Sequence, residues 1–481
     1  MEKIRKFFTI DKSLLSIEAA DGTKLSLIQL AIPIFFEVTL RNLVNSANTW
    51  ILSYSSETAA AAVATASQIQ RLLMIFYTVI SSGVTVIIAQ YLGAGNRKRA
   101  SEAATISVVF CFVMSLLIGL ICSAFARPIM IMMNLEGELL EEAVKYFRII
   151  ASFNFTQTMI TVYAAITRSY GKTRINFVIA LMMNVLNAGL NAIVVFRPFE
   201  TPFYGIEGVA TTRIIAEAIS LITNIILVNR AGIRFAWKSL LKPKFDLVWE
   251  IIKVGVPSGV GSMSYSISQT VSTAIMASTG MIALTTKSYV SSLVFFSYLI
   301  SIALGQSSAV LIGQLVGKGE MDKAYRMEKQ NVKLAVTANI IFSTCMWLAS
   351  DLLLGTFHIE NPEILELGKK VMFVDIFVEI GRAMNNVEEN SLRASGDVLW
   401  QAVIAMTSCW AVSVFFSQVL GVWCGLGLIG CWMAFAMDEI GRGIAYMIRW
   451  ESKRWMTKRL IKDEPAAAVE SENTAETVEQ N

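Results

Sequence analysis

The sequence predicts an all-α polytopic membrane protein, with twelve transmembrane helices in two pseudo-symmetric six-helix bundles. Three observations predict it. The 481 residues are 54% apolar and only 16% charged, with a mean hydropathy of +0.56, too little charge for a soluble chain of this length. Apolar stretches long enough to cross a hydrocarbon core of about 30 Å as helices recur from end to end. The chain also repeats itself. QYLGAG at 90–95 and QLVGKG at 314–319 lie 224 positions apart, as do Pro33 and Pro257, while RSYG at 168–171 and RASG at 393–396 lie 225 apart. Three anchors at one offset mean two halves built on one plan, an arrangement suited to matched bundles rocking about a site between them.

The elements follow in order. Residues 1–24 are charged and lack the apolar core of a cleavable signal, so the first span is expected to direct insertion and the segment to stay in the cytoplasm. The N-terminal bundle, 25–229, holds spans at 25–53, 59–92, 101–125, 138–167, 174–196 and 208–229. A basic linker, 230–246, joins it to the C-terminal bundle, 247–450, with spans at 247–277, 283–316, 330–350, 363–392, 398–420 and 427–448. Pro33 and Pro257 lie inside the first span of each half, where a missing backbone donor favours a bend. The tail, 451–481, is expected to be disordered; after about 462 it turns acidic and rich in small residues and lacks apolar periodicity.

Lys and Arg set the expected orientation. With both termini and the even-numbered turns on one side, that side collects clusters such as Arg97, Lys98 and Arg99. The opposite turns hold only Arg127, Arg197, Lys287, Lys369 and Lys370, and are rich in acids such as Glu136, Glu138, Glu141 and Glu142. The expectation is a cell-membrane protein with both termini cytoplasmic. Six helices per half give both halves one orientation, related by an axis along the membrane normal.

An ionisable side chain at mid-span costs at least about 2.5–3.5 kcal/mol, so each one needs a reason. Glu37 follows Pro33 by four residues, and Arg41 lies one turn further on the same face. Either Glu37 lines a polar cavity and exchanges a proton or holds a cation, or the pair is a static brace for the bend. Asn42, Asn45 and Asn48 continue down that helix, and Asn184, Asn187 and Asn191 sit on the fifth. Amides in a membrane bond between helices or line a wet cavity, and two Asn-rich helices in one half favour a cavity there. The seventh helix carries Ser264, Ser266, Ser268 and Gln269 instead, so the halves share a frame but not a lining.

The C-terminal half has its own charged set. Asp375, Glu379, Arg382, Glu388 and Glu389 lie on the tenth helix, and Asp438, Glu439 and Arg442 on the twelfth. Their i,i+3 and i,i+4 spacings fit a mutually neutralising network or a proton relay. Arg213 with Glu217, on the sixth helix, reads as a structural pair. Gln90, Gly93 and Gly95, and their copies Gln314, Gly317 and Gly319, close the second and eighth helices, where glycine permits a tight turn. No strand precedes these strings and no GK[ST] follows, which argues against a phosphate loop.

Six cysteines fall in apolar segments without metal spacing, and the single histidine is His358. No metal set or Ser-His-Asp constellation can be assembled, so the sequence predicts no enzyme, no metal site, no cofactor and no nucleic-acid partner. The expected partners are the lipid bilayer and a small organic substrate, and the chain is expected to be a monomer.

With these motifs in this order, the chain resembles the multidrug and toxic compound extrusion (MATE) family over about residues 24–455. The Gln-x-x-Gly-x-Gly turns match those after that family's second and eighth helices. LRASGD at 392–397 is similar to the motif after its tenth, while EIGRAMN at 379–385 and GLIGCWMAFAMDEIGRGIAYMIRW at 427–450 resemble helices ten and twelve of one bacterial branch. The resemblance implies antiport, in which an organic substrate, often a lipophilic cation, leaves as H⁺ or Na⁺ enters. Many members carry Asp near the end of helix one and late in helix five, where this chain has Asn48 and Asn191, and SGVGSMSYSISQ lacks the helix-seven acid of some members. Coupling would then fall to another carboxylate, with Glu37 the nearest in the N-terminal half. A flippase for a lipid-linked saccharide is the alternative. It needs a strongly cationic cavity, and the sequence places Arg41 as the one cation near the N-half candidates. A non-transporting scaffold or sensor finds little surface in such short loops.

Overall fold

The structure is a computed structural model and describes residues 10–19, 22–53, 57–196, 205–241, 244–357, 359 and 361–461; for 42–53, 57, 59–60, 75–76 and 241 it describes the backbone alone. A small antiparallel hairpin of β1 (Ser16–Glu18) and β2 (Lys24–Ser26), with Ile17 opposite Leu25, precedes the helices. The N-terminal half comprises α1 (Leu27–Ser53), α2 (Glu57–Gly93), α3 (Arg97–Ala124), the short α4 (Ala126–Met132), α5 (Gly137–Ser152), α6 (Asn154–Ser169), α7 (Thr173–Phe196) and α8 (Gly205–Arg230). The C-terminal half comprises α9 (Phe245–Ser278), α10 (Met281–Lys318), α11 (Met321–Leu348), the short α12 (Ser350–Gly355), α13 (Pro362–Ser395), α14 (Val398–Ser408) and α15 (Gly427–Glu451).

Among the described residues, seven helical spans are long and apolar enough to cross a membrane, and α5 with α6, bent by 46°, make an eighth. The remaining four of the twelve are α1 and α9, which hold Pro33 and Pro257 inside them, and α13 and α15, which carry buried charges. The single span expected at 138–167 is thus broken at Phe153, although no proline or glycine marks the break. Asn154, just beyond it, donates to the Tyr77 hydroxyl at 2.7 Å. The eleventh span continues past α14 as π-helical turns, Cys409–Val414 and Ser417–Trp423.

The halves pack on one plan. α1 lies against α7 as α9 lies against α14; α2 packs on α5 and α6 as α10 packs on α13; α7 packs on α8 as α14 packs on α15. Between the halves, α2 touches α9 and α10, and α10 touches α1.

The duplicated motifs form the seam. Gly93 presses so close to α10 that a Cβ on it would stand 2.0 Å from the Gln314 carbonyl oxygen; a Cβ on Gly317 would stand 2.0 Å from that of Gln90. Gln90 Nε2 donates to the Ala394 carbonyl at 2.7 Å, and Gln314 Nε2 to that of Ser169 at 3.1 Å. Two of the three repeated anchors, the Gln-x-x-Gly-x-Gly pair and the RSYG/RASG pair, therefore interlock across a pseudo-two-fold axis. The next glycines, Gly95 (φ +76°) and Gly319 (φ +82°), take left-handed conformations that turn the chain out of its helix.

Both ends of the described chain lie at this seam. The hairpin contributes Ile17 and Leu25 to a core with α10, α11 and α13 of the other half. At the far end, the tail expected to be disordered from 451 is packed as far as Ile461. Trp455 is buried and stacks on Trp450 at 4.0 Å. Arg459 Nη2 donates to the Gly317 carbonyl at 2.6 Å, and the Leu460 amide donates to Gln90 Oε1 at 3.1 Å. Residues 462–481, and His358, lie outside the described residues.

Candidate functional site

Two polar regions stand beyond the seam, one in each half. The first is a cavity of about 690 Å³, bounded by α1, α2, α5, α6, α7 and α8 and reached by Ser258 and Ser262 of α9 and Arg393 of α13. The cavity expected from the Asn-rich helices is there: Asn184, Asn187 and Asn191 line it. Asn191 Nδ2 donates to Asn187 Oδ1 at 3.2 Å, and the Thr212 hydroxyl donates to Asn191 Oδ1 at 2.6 Å, so the row both lines the cavity and ties α7 to α8. The side chains of Asn42, Asn45 and Asn48 lie outside the described residues.

Arg41 lines the cavity with its side chain 42% exposed, and its Nη2 donates at 2.9 Å to Glu37 Oε1 on the buried side of α1. A second guanidinium stands across from α1: Arg168 Nη2 lies 3.7 Å from the same Glu37 oxygen, while its Nη1 donates to Gln306 Oε1 at 2.8 Å. Glu37 is therefore one carboxylate between two arginines. Arg168 belongs to the RSYG string, which reads as a turn in the sequence, and nothing local signals that it faces Glu37.

The sequence also placed Arg41 as the one cation near this cavity, and the structure corrects that. Arg71, Arg213 and Arg393 line it as well. Arg213 Nε is 3.1 Å from Glu217 Oε1, and Thr156 donates to Glu217 Oε2 at 2.6 Å. The pair read as structural is a pair, and it forms part of the cavity wall. Arg393 is held by Glu389 at 2.6 Å. A charge alone in the apolar run around Arg71 is a signal the sequence did carry.

The second region is a buried cluster between α13 and α15. Arg382 Nη1 lies 2.7 Å from Glu379 Oε1, and its Nε 3.7 Å from Glu439 Oε1. Arg442 Nη2 lies 3.0 Å from both Asp438 Oδ2 and Glu439 Oε2. Asn339 donates to Glu379 at 3.0 Å, Asn385 and Tyr265 donate to Glu439 at 2.7 and 3.3 Å, and Ser408 donates to Asp438 at 2.5 Å. Asp375 accepts from Trp432 Nε1 at 2.9 Å. Of the charged residues on these two helices, Glu379, Arg382, Asp438, Glu439 and Arg442 are thus brought together. Two further carboxylates, Glu328 on α11 and Glu388 on α13, are buried and make no ion pair among the described residues. Glu328 sits ahead of the span expected from 330 and reads in the sequence as part of a turn.

A duplicated twelve-span bundle with a polar cavity in one half and a carboxylate cluster in the other is matched by one family model, MatE, over residues 33–193 and 257–419. The chain belongs to the MATE family. The two matches start 224 residues apart, the offset of Pro33 and Pro257. An uncharacterized transporter, YisQ, of Bacillus subtilis is 34% identical over 440 residues, 91% of this chain and 96% of its own. A probable multidrug resistance protein, NorM, of Thermotoga maritima is 24% identical over 462 residues, 95% of this chain and 99% of its own. A solved outward-facing multidrug resistance MATE family transporter of the MOP superfamily shares the fold, with a TM-score of 0.83 at 16% identity over 92% of this chain and 98% of that one. As a MATE protein, the chain is a membrane transporter and not an enzyme.

Proposed function

We propose that this MATE chain exports organic compounds from the cell in exchange for H⁺ or Na⁺, with the N-half cavity as the substrate site and the C-half carboxylates as the ion site. The observation that carries the ion site is a charge imbalance. Four buried carboxylates, Asp375, Glu379, Asp438 and Glu439, stand in this region with two guanidiniums: Arg382 pairs with Glu379 and Glu439, Arg442 pairs with Asp438 and Glu439, and Asp375 accepts from Trp432 and makes no ion pair among the described residues. If all four ionise, two negative charges stay uncompensated in a low-dielectric interior, which is costly. A proton or a sodium ion removes that cost. Glu37, the first candidate from the sequence, already lies between Arg41 and Arg168 and has less need of a further cation.

With the termini in the cytoplasm, as the Lys and Arg placement expects, the interlocked seam closes the inner face and this is the outward-facing state. Ion binding favours one state and substrate the other, each by no more than its differential affinity. The protein acts as a monomer in the cell membrane. Relatives named multidrug resistance proteins support a broad substrate range. A lipophilic cation, the class the family resemblance implies, finds one carboxylate on the cavity wall, Glu217, with both oxygens already engaged. A second reading, flipping of a lipid-linked saccharide, draws support from the arginines that the sequence did not place at the cavity.

The test is export from proteoliposomes loaded with a panel of anionic and cationic dyes, under an imposed H⁺ or Na⁺ gradient. Glu379→Gln is expected to lower ion-driven export at least about tenfold, as removal of an interaction needed in the cycle does, while Glu37→Gln stays within about threefold of wild type. The reverse pattern would move coupling to the N half. Export of no dye under either gradient would overturn the antiport reading.

A further inference from the structure

The geometry points to an organic anion as the compound this cavity takes: a soluble amphiphile bearing a carboxylate, sulfonate or phosphate. The inference rests on the cavity being the substrate site. Five charged side chains line it, Arg41, Arg71, Arg213, Arg393 and Glu217. Glu217 is occupied on both oxygens, by Arg213 and Thr156. Arg393 is matched by Glu389. Arg41 shares the single carboxylate of Glu37 with Arg168, so that group of three keeps one positive charge. Arg71 is exposed and makes no ion pair among the described residues. Two positive charges are left over: one on Arg71, which lines the cavity, and one shared between Arg41, on the wall, and Arg168, which stands behind it across Glu37.

The hydrogen-bond inventory has the same sign. Among lining residues, the buried polar atoms without a partner are Arg41 Nε, Asn184 Nδ2 and Arg393 Nε, and every one is a donor. An anion meets planar guanidinium forks that suit carboxylate, sulfonate and phosphate oxygens. A cation meets net repulsion in a partly desolvated space where charge interactions are stronger than in water. The apolar body of such a molecule has Val63, Met74, Val79, Met183 and Val209 to lie against, and Met adapts its shape to varied partners. The volume, about 690 Å³, is that of a site for a drug-sized molecule.

Two dyes on one ring system with opposite charge, 6-carboxyfluorescein and rhodamine 123, separate the possibilities. Binding to the full-length protein in nanodiscs is read by fluorescence anisotropy, together with a melting curve for every variant. Wild type is expected to bind the anion at least about tenfold tighter, with the preference shrinking as salt is added. Arg71→Gln weakens anion binding about fivefold or more, as loss of a charge-assisted contact does; Arg71→Lys retains it; Arg71→Glu shifts the preference toward rhodamine. Equal or tighter binding of rhodamine 123 by wild type, or unchanged anion binding in a well-folded Arg71→Gln protein, would overturn the assignment. Polyprenyl pyrophosphate added to the nanodisc lipid is expected not to displace the dye; displacement would overturn the soluble source in favour of a lipid-borne headgroup. Because binding is read at equilibrium, a protein that prefers the anion but shows no ion-driven export defeats the antiport reading and leaves the charge preference standing. Export of rhodamine with no anion binding does the reverse.

Discussion

Arg442→Met is expected to destabilise the folded protein by about 3–5 kcal/mol, the cost of leaving a buried charge without its partner. Arg442 is 3% exposed, lies 3.0 Å from both Asp438 and Glu439, and covers the ring of Tyr265 at 5.1 Å. Without it, the nearest remaining cation is Arg382, 3.7 Å from Glu439 and already engaged with Glu379. Denaturant or thermal unfolding of the purified protein in detergent measures the loss. Adding Asp438→Asn and Glu439→Gln to the same chain is expected to recover most of it, because the groups that needed the guanidinium no longer carry charge. Arg213→Met, where the pair borders an open cavity and the Arg213 side chain is 28% exposed, is expected to cost only about 1 kcal/mol. A loss below about 1 kcal/mol for Arg442→Met, or a triple variant no more stable than the single one, would show that the cluster is not held by charge balance.

Much of this architecture is legible in the sequence because the bilayer imposes two rules a reader can apply: span length, and the rarity of charge within a span. Glu37, Arg41 and the Asn row of α7 stand out on that basis, and the repeat offset pairs the halves. What escapes is tertiary. Arg168 faces Glu37 only because α6 packs against the core of the bundle, and its own surroundings in the chain read as a turn. Trp455 and Leu460 belong to a stretch whose local composition turns polar, yet they are held by Trp450 and Gln90, partners that no periodicity announces. The bend at Phe153 has no breaker residue and is accompanied by contacts from Asn154 to Tyr77 and from Thr156 to Glu217. Arg71 is a different case: a lone arginine in an apolar run was visible, and the rule that singled out Glu37 applies to it equally.

Gly317→Ala is expected to stop transport without unfolding the protein, and Gly93→Ala to do the same. Within a helix, replacing glycine by alanine adds about 1 kcal/mol of stability, so local propensity predicts a gain. The seam reverses the sign for one state only. The new methyl on residue 317 would stand 2.0 Å from the Gln90 carbonyl oxygen, and that on residue 93 equally close to the Gln314 carbonyl. Both neighbours are backbone, which cannot rotate aside as a side chain can. The halves must separate, which also breaks the bonds from Gln90 to Ala394 and from Gln314 to Ser169. A penalty of about 3 kcal/mol confined to the closed seam lowers the population of that state about 100-fold. Export in proteoliposomes should fall accordingly, and the double variant should be little worse than either single one, since both block one contact. Gly95→Ala is the control: its left-handed φ of +76° carries a strain cost, but nothing lies within 4 Å of its added Cβ, so export should persist. Closure itself can be read with Ser169→Cys on a background lacking the six native cysteines. Ser169 is fully buried at the seam, and a maleimide should reach it several-fold faster once Gly317→Ala is present, because the surface that hides it no longer meets its partner. A Gly317→Ala protein that exports at the wild-type rate and keeps residue 169 shielded would mean that the transport cycle does not pass through this contact.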